Sequence, residues 1–279
     1  MPSVLVTGAA RGIGKSIVTR LAARGWDVIA GVRNEQDAAD IIKADPQRIS
    51  SVILDVTDSG QIAALPDALP QQLDAIVNNA GIVVSGPIET VGPDEWRKQL
   101  DVNVIGQLAV TQAVLPRLRE SRGRIVFISS VNGKLSMPLL GPYSASKFAL
   151  EAAADALRME LKPWSIPVVL VEPAQTDTDI WRTAHTVVAE TEAALTPEQR
   201  SLYAKHIAGM KKVVAVSQRM AVDPENVAAV VEQALTTRRP RARYVVGVLP
   251  RLQVALMTNL PTAARDRVLR MVSGQPGRP

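Results

Sequence analysis

Short apolar runs alternate along this chain with longer segments of helical periodicity. A continuous, β-branched run such as residues 124–128 is typical of a strand that is buried on both faces of a sheet. Seven runs predict strands, at residues 3–6, 27–32, 51–54, 73–77, 124–128, 166–171 and 244–248. Because these strands alternate with predicted helices, the pattern indicates an α/β fold.

The most regular helical spacing begins at Tyr143 and extends to about Lys162, without Gly or Pro. Further helices are predicted at residues 15–24, 58–69, 93–119 (one short and one long helix), 223–235, 249–260 and 263–272. Residues 179–216 lack strand signals, and we expect them to form a mobile lid over the substrate. We expect the final residues, 273–279, to be disordered.

Composition excludes several classes of protein. A chain of 279 residues that is 47% apolar can bury one core, so we expect residues 1–272 to form a single domain. The chain has no cysteine, which excludes disulfides, thiolate metal sites and a Cys nucleophile. We expect a cytoplasmic protein, because no signal peptide precedes the first strand and no apolar run approaches the roughly 18 residues of a membrane span.

The net charge of +5 is concentrated in a basic C-terminal extension, residues 238–272. From residue 238 to the end the chain has nine arginines, no lysine and one acid, Asp266. The arginines are not regularly interleaved with aromatic residues, so we predict no nucleic-acid partner. A solvated basic rim explains this segment most simply, although weak contact with an anionic membrane surface remains open.

A glycine-rich segment joins the first predicted strand to the first helix. Its glycines, Gly8, Gly12 and Gly14, let the backbone approach a phosphate, and the helix N-terminus offers free N–H groups. A P-loop would fit residues 14–16 but needs a glycine where Ala9 stands. The common GxGxxG dinucleotide spacing is not met either, so this loop alone predicts only a phosphate-binding turn.

The end of the second predicted strand bears on cofactor preference. Enzymes that use NAD place an acidic residue here to bind the adenosine ribose, whereas this chain has Gly31-Val32-Arg33-Asn34. Arg33 and Arg11 could together bind a 2′-phosphate, at about 1.5–3 kcal/mol for each charge-assisted hydrogen bond. The sequence therefore predicts NADP(H) as the cofactor.

Three polar side chains near the fifth strand and the following helix suggest proton-transfer chemistry. Tyr143 and Lys147 are one helical turn apart on the same face, and Ser130 follows the end of a strand. An ammonium about 4 Å from the phenol would favour phenolate by up to ~4 kcal/mol, which lowers the pKa of Tyr143 toward neutrality. Tyr143 could then act as a general acid or base, with Ser130 holding a substrate carbonyl or hydroxyl.

Five motifs in a fixed order resemble those of the short-chain dehydrogenase/reductase family. They are TGxxxGIG from Thr7, Asp55, NNAG at residues 78–81, Asn103, and the set of Ser130, Tyr143 and Lys147. The resemblance implies a single Rossmann-type, doubly wound, seven-stranded parallel sheet with helices on both faces. It also implies a catalytic set of Asn103, Ser130, Tyr143 and Lys147.

The resemblance implies a mechanism in which the pro-S hydride of NADPH moves to a carbonyl carbon. Ser130 would bind the developing oxyanion and Tyr143 would donate the proton. Lys147 would lower the pKa of Tyr143 and hold the nicotinamide ribose, and Asn103 would hold a water that links Lys147 to solvent. The cofactor-binding residues are expected to be Gly8, Arg11, Gly12, Ile13, Gly14, Arg33, Asp55, Val56, Asn79, Ala80, Gly81, Tyr143, Lys147, Pro173, Thr176 and Thr178. Most relatives have Pro-Gly after the sixth strand, where this chain has Pro173-Ala174.

A looser resemblance concerns the substrate. Residues 171–173 and 243–247 are similar to those of steroid and retinol dehydrogenases, which favours a bulky, apolar ketone or alcohol. The residues expected to line an apolar pocket are Met137, Leu139, Leu140, Ile180 and Trp181, and each could equally belong to the core. The family also implies a homodimer or homotetramer.

Two other functional classes remain open from the sequence. A non-catalytic NADP-binding sensor or scaffold would have less reason to keep Ser130, Tyr143 and Lys147 together. A P-loop phosphotransferase is disfavoured by Ala9 and by the complete tyrosine set. No metal site is predicted, because neither His185 nor His206 has a partner at metal-ligand spacing.

Overall fold

The computed structural model of this protein describes residues 1–177 and 184–275, built around a seven-stranded sheet in which all strands run parallel. The strands are β1 (Ser3–Thr7), β2 (Asp27–Val32), β3 (Ile49–Ile53), β4 (Ala75–Asn78), β5 (Arg124–Ile128), β6 (Val168–Glu172) and β7 (Arg243–Val245). Their spatial order is β3-β2-β1-β4-β5-β6-β7. The predicted fold class is therefore confirmed.

Helices connect the strands. They are α1 (Gly12–Ala23), α2 (Glu35–Ile42), α3 (Ser59–Ala68), α4 (Pro93–Leu100), α5 (Gln107–Ser121), α6 (Gly141–Glu160), α7 (Ala184–Ala194), α8 (Pro197–Met220), α9 (Pro224–Thr236), α10 (Val248–Thr258) and α11 (Thr262–Val272). A π-helical segment, Asp101–Gly106, joins α4 to α5, and 3₁₀ turns lie at Val131–Gly133 and Lys162–Trp164. Within residues 1–177 and 184–275, no helix combines the length and apolar character that a transmembrane span requires.

The sheet has a hydrophobic core on each face, as its continuous apolar strands predict. In β1, Val4 and Val6 pack on one face with Ile17 of α1, whereas Leu5 packs on the other face with Val110 of α5. All of these side chains are fully buried. Burial of each such side chain contributes about 1.5–3 kcal/mol, which is why the strands carry apolar residues at consecutive positions.

The strand order places the candidate chemistry at one edge of the sheet. The order reverses between β1 and β4, and in open α/β sheets ligands bind at the carboxyl ends of the strands near such a reversal. The glycine-rich segment follows β1, residues 79–81 follow β4, and Ser130 follows β5. The connectivity therefore brings these segments together although they are far apart in sequence.

Two elements differ from the sequence predictions. The seventh strand ends at Val245, because Gly247 takes φ 92° and α10 begins at Val248. Helix α2 was not predicted; it is short, and Asn34 caps it by accepting a hydrogen bond from the Asp37 N–H at 2.8 Å.

The expected lid region is a helical hairpin in the part that the structure describes. Helices α7 and α8 form it, and α8 continues to Met220, beyond the predicted end at residue 216. The expectation of disorder from residue 273 is not met by residues 273–275. Ser273 is buried, and Gln275 donates a hydrogen bond to the His206 carbonyl of α8 at 3.4 Å. Residues 178–183 and 276–279 lie outside the described residues.

Candidate active site

The segment between β1 and α1 has the geometry of a phosphate cradle. Gly8 and Gly12 take φ 63° and 53°, a region that favours glycine. The side chain of Arg11, at the N-cap of α1, makes no capping hydrogen bond. The N–H groups of the first turn of α1 are thus suited to bind an anion, with support from the helix dipole. The residues present fit the diphosphate of a dinucleotide.

The motif after β4 holds this loop in place. The backbone N–H groups of Asn79 and Ala80 donate to the Thr7 hydroxyl at 3.0 and 3.1 Å. The Asn79 side-chain amide donates to the carbonyls of Thr7 and Gly8, both at 3.0 Å. The side chain of Asn79 therefore organises the glycine-rich loop, and Gly81 after it is exposed.

The residues predicted to bind the adenosine end of the cofactor lie at the N-cap of α1 and after the carboxyl ends of β2 and β3. Arg11 and Arg33 are exposed, and Asp55 is partly buried. Asp55 accepts hydrogen bonds from the N–H and hydroxyl of Thr57 at 2.9 and 2.7 Å, and these bonds lower the pKa of its carboxyl. The charge of Arg33 lowers this pKa further, so Arg33 and Asp55 lie in the same corner of the site. Val56 is buried beside them.

Three amide side chains spaced four residues apart support the loop after β4. Gln99, Asn103 and Gln107 are fully buried on one side of the α4, π-helical and α5 segments. Gln107 donates to the Ala80 carbonyl at 2.6 Å, and Gln99 accepts from the Val84 N–H at 2.6 Å. Gln99 and Gln107 were not predicted as site residues, although their regular four-residue spacing with Asn103 could have indicated them.

Asn103 itself is bonded differently from what the sequence analysis expected. Its side-chain oxygen accepts from the Ile82 N–H at 2.9 Å, and its amide donates to the Ile82 carbonyl at 3.0 Å and to the Ser146 hydroxyl at 3.1 Å. These bonds engage both polar atoms of the side chain, which therefore positions the backbone next to Lys147. The water that Asn103 is expected to hold between Lys147 and solvent stays a prediction.

The structure brings Ser130, Tyr143 and Lys147 together at the carboxyl edge. Ser130 is buried, its hydroxyl accepts from the Asn132 N–H at 3.1 Å, and it lies near enough to Tyr143 to lower the pKa of the phenol. The Lys147 ammonium lies 5.9 Å from the centroid of the Tyr143 ring and donates to the Ile128 carbonyl at 2.8 Å. This carbonyl belongs to the last residue of β5, so the strand end positions the ammonium.

The electrostatics of this trio differ from the sequence prediction. Burial raises the pKa of Tyr143 above its usual value, and the hydrogen bond with Ser130 opposes this only in part. The charge of Lys147 does not lower the pKa of Tyr143, in contrast to the sequence prediction. Burial also lowers the pKa of Lys147 to about 8, against the opposing charge of Glu151. Without a bound ligand, the phenol is therefore protonated at neutral pH and the ammonium is charged.

The loop after β6 contributes backbone at the same edge. Pro173 is buried, and its carbonyl accepts from the Val131 N–H at 3.0 Å, next to Ser130. Thr176 is also buried, and its hydroxyl donates to the Ala174 carbonyl at 3.3 Å. Thr178 lies outside the described residues.

Part of the predicted apolar pocket contacts the helical hairpin. Leu139 and Leu140, together with Tyr203, pack against a buried cluster of the helical hairpin that comprises Val188, Leu195, Ile207, Met210 and Val214. Leu139 takes φ 63°, an uncommon conformation for a leucine, and its carbonyl accepts from the Gly86 N–H at 2.8 Å. Met137 is partly buried nearby in sequence, whereas Ile180 and Trp181 lie outside the described residues.

The chain is similar to known proteins over nearly all of its length. The family model described as short chain dehydrogenase matches residues 2–188. The chain is 33% identical to an NADPH-dependent 3-dehydrocapnine reductase from Ornithobacterium rhinotracheale, over 96% of each chain. It is 32% identical to retinol dehydrogenase 16 of Mus musculus, over 98% of this chain and 89% of that one.

A solved structure supports the same assignment. A short-chain dehydrogenase from Streptomyces avermitilis superposes with a TM-score of 0.79 and 28% identity, over 96% of this chain and 94% of that one. The strand order, the ordered motifs and the matched family model thus agree. This protein belongs to the short-chain dehydrogenase/reductase family of oxidoreductases and, within it, resembles the retinol dehydrogenases.

Proposed function

We propose that this oxidoreductase uses NADP(H) to interconvert a bulky, apolar ketone and the corresponding secondary alcohol. The observation that carries the proposal is the proximity of the Ser130 hydroxyl to the Tyr143 phenol, beside the buried ammonium of Lys147. Two hydroxyl donors at one point can stabilise the negative charge that develops on a carbonyl oxygen during reduction.

The dinucleotide would lie along the carboxyl edge of the sheet. The residues that would hold it are Gly8, Arg11, Gly12, Ile13, Gly14, Arg33, Asp55, Val56, Asn79, Ala80, Gly81, Tyr143, Lys147, Pro173, Thr176 and Thr178. When bound, its nicotinamide supplies or accepts the hydride.

The preference for NADP(H) rests on two exposed cations, Arg11 at the N-cap of α1 and Arg33 after β2. Arg33 and Arg11 offer guanidinium groups where an NAD-preferring enzyme would have a carboxylate. A relative over the whole chain, the reductase from Ornithobacterium rhinotracheale, is named as NADPH-dependent. Both observations favour the phosphorylated cofactor.

Tyr143 would act as the general acid in the direction of reduction. Its raised pKa keeps the phenol protonated at neutral pH, which is the form that a proton donor needs. As the proton leaves, the charged Lys147 would stabilise the phenolate, and the hydroxyl of Ser130 would keep the substrate oxygen in reach. Asn103 would act on this set by fixing Ile82 and Ser146.

An apolar substrate is favoured by the wall that Leu139 and Leu140 form with α7 and α8. Similarity to retinol dehydrogenase 16 points the same way, because retinol is a largely apolar alcohol. The hairpin would cover such a substrate and exclude water from the reacting carbonyl.

The direct test is a panel of apolar ketones and alcohols assayed by the absorbance of NADPH and NADH. We expect turnover with NADPH and a lower kcat/KM with NADH, by about tenfold or more. Arg33→Ala should raise KM for NADPH and leave KM for NADH nearly unchanged, and Arg239→Ala, an exposed arginine of the C-terminal extension, is the control. Equal use of both cofactors by the wild type would refute the NADP(H) assignment, and binding without turnover on the whole panel would indicate a sensor.

A further inference from the structure

A cluster of buried charges lies one helical turn beyond Lys147. Glu151 of α6 is only 5% exposed, and its Oε2 atom lies 3.1 Å from the Lys134 ammonium and 2.9 Å from Nε of Arg243. Its Oε1 atom has no hydrogen-bond partner among the described residues. Glu151 is also the carboxylate whose charge raises the pKa of Lys147 against the effect of burial.

A second carboxylate shares the same arginine. Glu172, the last residue of β6, is 1% exposed, and its Oε1 atom lies 3.4 Å from Nε of Arg243 without forming a hydrogen bond. Burial and the neighbouring charge of Glu151 raise the pKa of Glu172 to about 7. One guanidinium nitrogen therefore faces two buried carboxylates.

The remaining charged groups do not relieve this competition. The other arm of Arg243, Nη2, is 2.6 Å from Asp155, and Asp155 is also paired with Arg158 at 2.7 Å. Lys134 is ion-paired with Glu151, and its charge also lowers the pKa of Glu172 without offsetting burial and the charge of Glu151. A buried carboxylate whose Oε1 atom has no hydrogen-bond partner is costly when ionised, so Glu172 is the group in this cluster that changes charge near neutral pH.

We propose that Glu151 and Glu172, sharing Arg243, form a buried carboxylate pair that keeps Lys147 charged as the pH rises through the neutral range. When Glu172 is protonated, Arg243 pairs with Glu151 and neutralises much of its field. When Glu172 ionises, Arg243 is shared, and more of the negative charge of Glu151 acts on Lys147. Both glutamates are positioning residues, and the inference rests on the proposed function because it concerns the charge beside Tyr143.

The pair can act on Lys147 because Glu172 loses its proton at a lower pH than Lys147 does. The pKa of Glu172 is about 7, which is below the value of about 8 that Lys147 has under the combined effects of burial and the charge of Glu151. The added negative charge therefore arrives just before the ammonium would be lost, and a negative charge nearby raises the pKa of a lysine.

The test compares the pH dependence of kcat in the wild type, Glu172→Gln and Glu151→Gln. Removing a negative charge lowers the pKa of Lys147, so the alkaline limb should move to lower pH, by about one unit in Glu151→Gln and by about half a unit in Glu172→Gln. At about pH 6, where Lys147 is charged in all three, kcat should agree within roughly threefold. Glu232→Gln, which removes an ion-paired glutamate of α9 far from the site, should leave the profile unchanged.

A second readout needs no substrate. The NMR signal of the Lys147 Cε atom, assigned by its loss in Lys147→Arg, should titrate at a lower pH in both glutamine variants. Because glutamine resembles the protonated form of Glu172, Glu172→Gln should fold even if Glu151→Gln does not. An unchanged alkaline limb and an unchanged Lys147 midpoint in Glu172→Gln would overturn the proposal and leave a purely structural role. A shifted midpoint in a protein that reduces no ketone would support this inference while the proposed function failed.

Discussion

At the scale of single residues, Gly14 shows how closely the loop after β1 approaches the loop after β4. A Cβ atom at Gly14 would overlap the Gly8 carbonyl oxygen and would also lie 2.7 Å from the Asn79 amide. Neither neighbour can move freely, because the Asn79 amide is bonded to the carbonyls of Thr7 and Gly8. Glycine at this position is therefore required by packing and not only by its backbone freedom.

Gly14→Ala should accordingly displace the cradle. We expect the Kd for NADPH to rise by tenfold or more, and the unfolding free energy to fall by about 1–3 kcal/mol because an inserted methyl group overpacks the loop. Isothermal titration calorimetry and urea unfolding measure the two effects. Gly92→Ala is the matched control, since nothing lies within 4 Å of a Cβ there and its φ of −67° suits alanine. Unaltered NADPH binding in Gly14→Ala would show that the close approach has no role.

Some residue roles could be predicted from the sequence and others could not. The spacing of Tyr143 and Lys147 correctly indicated one face of one helix, and Ser130 was correctly placed at a strand end. The pKa of Tyr143 was predicted in the wrong direction, because spacing does not reveal that burial acts on the phenol while the Lys147 ammonium bonds to the Ile128 carbonyl. Arg243, which is 92 residues from Glu151, could be paired with it only in the folded chain.

At the scale of elements, the buried amides of Gln99, Asn103 and Gln107 form a stripe along one helical segment. This stripe connects the segment to the irregular loop after β4. Each amide bonds to backbone of the loop after β4, which has no sheet or helix partner of its own. The segment that carries Asn103 is π-helical, a rare conformation that often occurs at functional sites. This stripe fixes the wall beside Lys147 without contacting the ammonium.

Asn103→Ala should therefore weaken the fold as well as activity. It leaves the Ile82 N–H without its partner, at a cost of about 1–3 kcal/mol if the group stays buried, whereas the Ile82 carbonyl still accepts from the Gln99 side chain at 3.0 Å. Urea unfolding should show this loss, and kcat should fall because Ser146 and the start of α6 lose an anchor. Gln112→Ala, an exposed amide of α5, is the control and should be neutral. Wild-type stability in Asn103→Ala would contradict the anchoring role.

The positions of strands were predicted correctly from the hydrophobic pattern where the apolar runs are long. Strands β1, β2 and β5 lie where their apolar runs predicted them, because both faces of each are buried. The pattern failed at β7, where Val248 continues an apolar run but belongs to α10 after the turn at Gly247. The packing of Ser273 and Gln275 on α8 was also missed, because short polar segments carry no periodicity that would predict a contact.

At the scale of the whole molecule, two helical segments that pack on the sheet expose large apolar side chains to solvent. Ile105 is 58% exposed and Phe148 of α6 is 44% exposed, although both lie on segments that pack against the core. An exposed apolar surface of this kind is typical of an interface between protein chains. We therefore expect a homodimer or homotetramer in solution.

Phe148→Lys should shift this assembly toward the monomer, because a charge would be buried at the interface without a partner. Light scattering coupled to size-exclusion chromatography measures the mass directly. Leu202→Lys, at an equally apolar residue exposed on α8, is the control and should keep the assembly. A monomeric wild type would contradict this expectation.

Tyr143→Phe is the decisive variant for the proposed role of Tyr143 as the group that gives its proton to the substrate. With a ketone that the wild type reduces, the rate of NADPH oxidation should fall by roughly 10²–10⁴-fold, the usual contribution of a positioned acid. Binding of NADPH, followed by its fluorescence, should stay within about threefold, because the phenylalanine ring keeps the shape of the site. Turnover at more than roughly a tenth of the wild-type rate, with intact NADPH binding, would contradict the account.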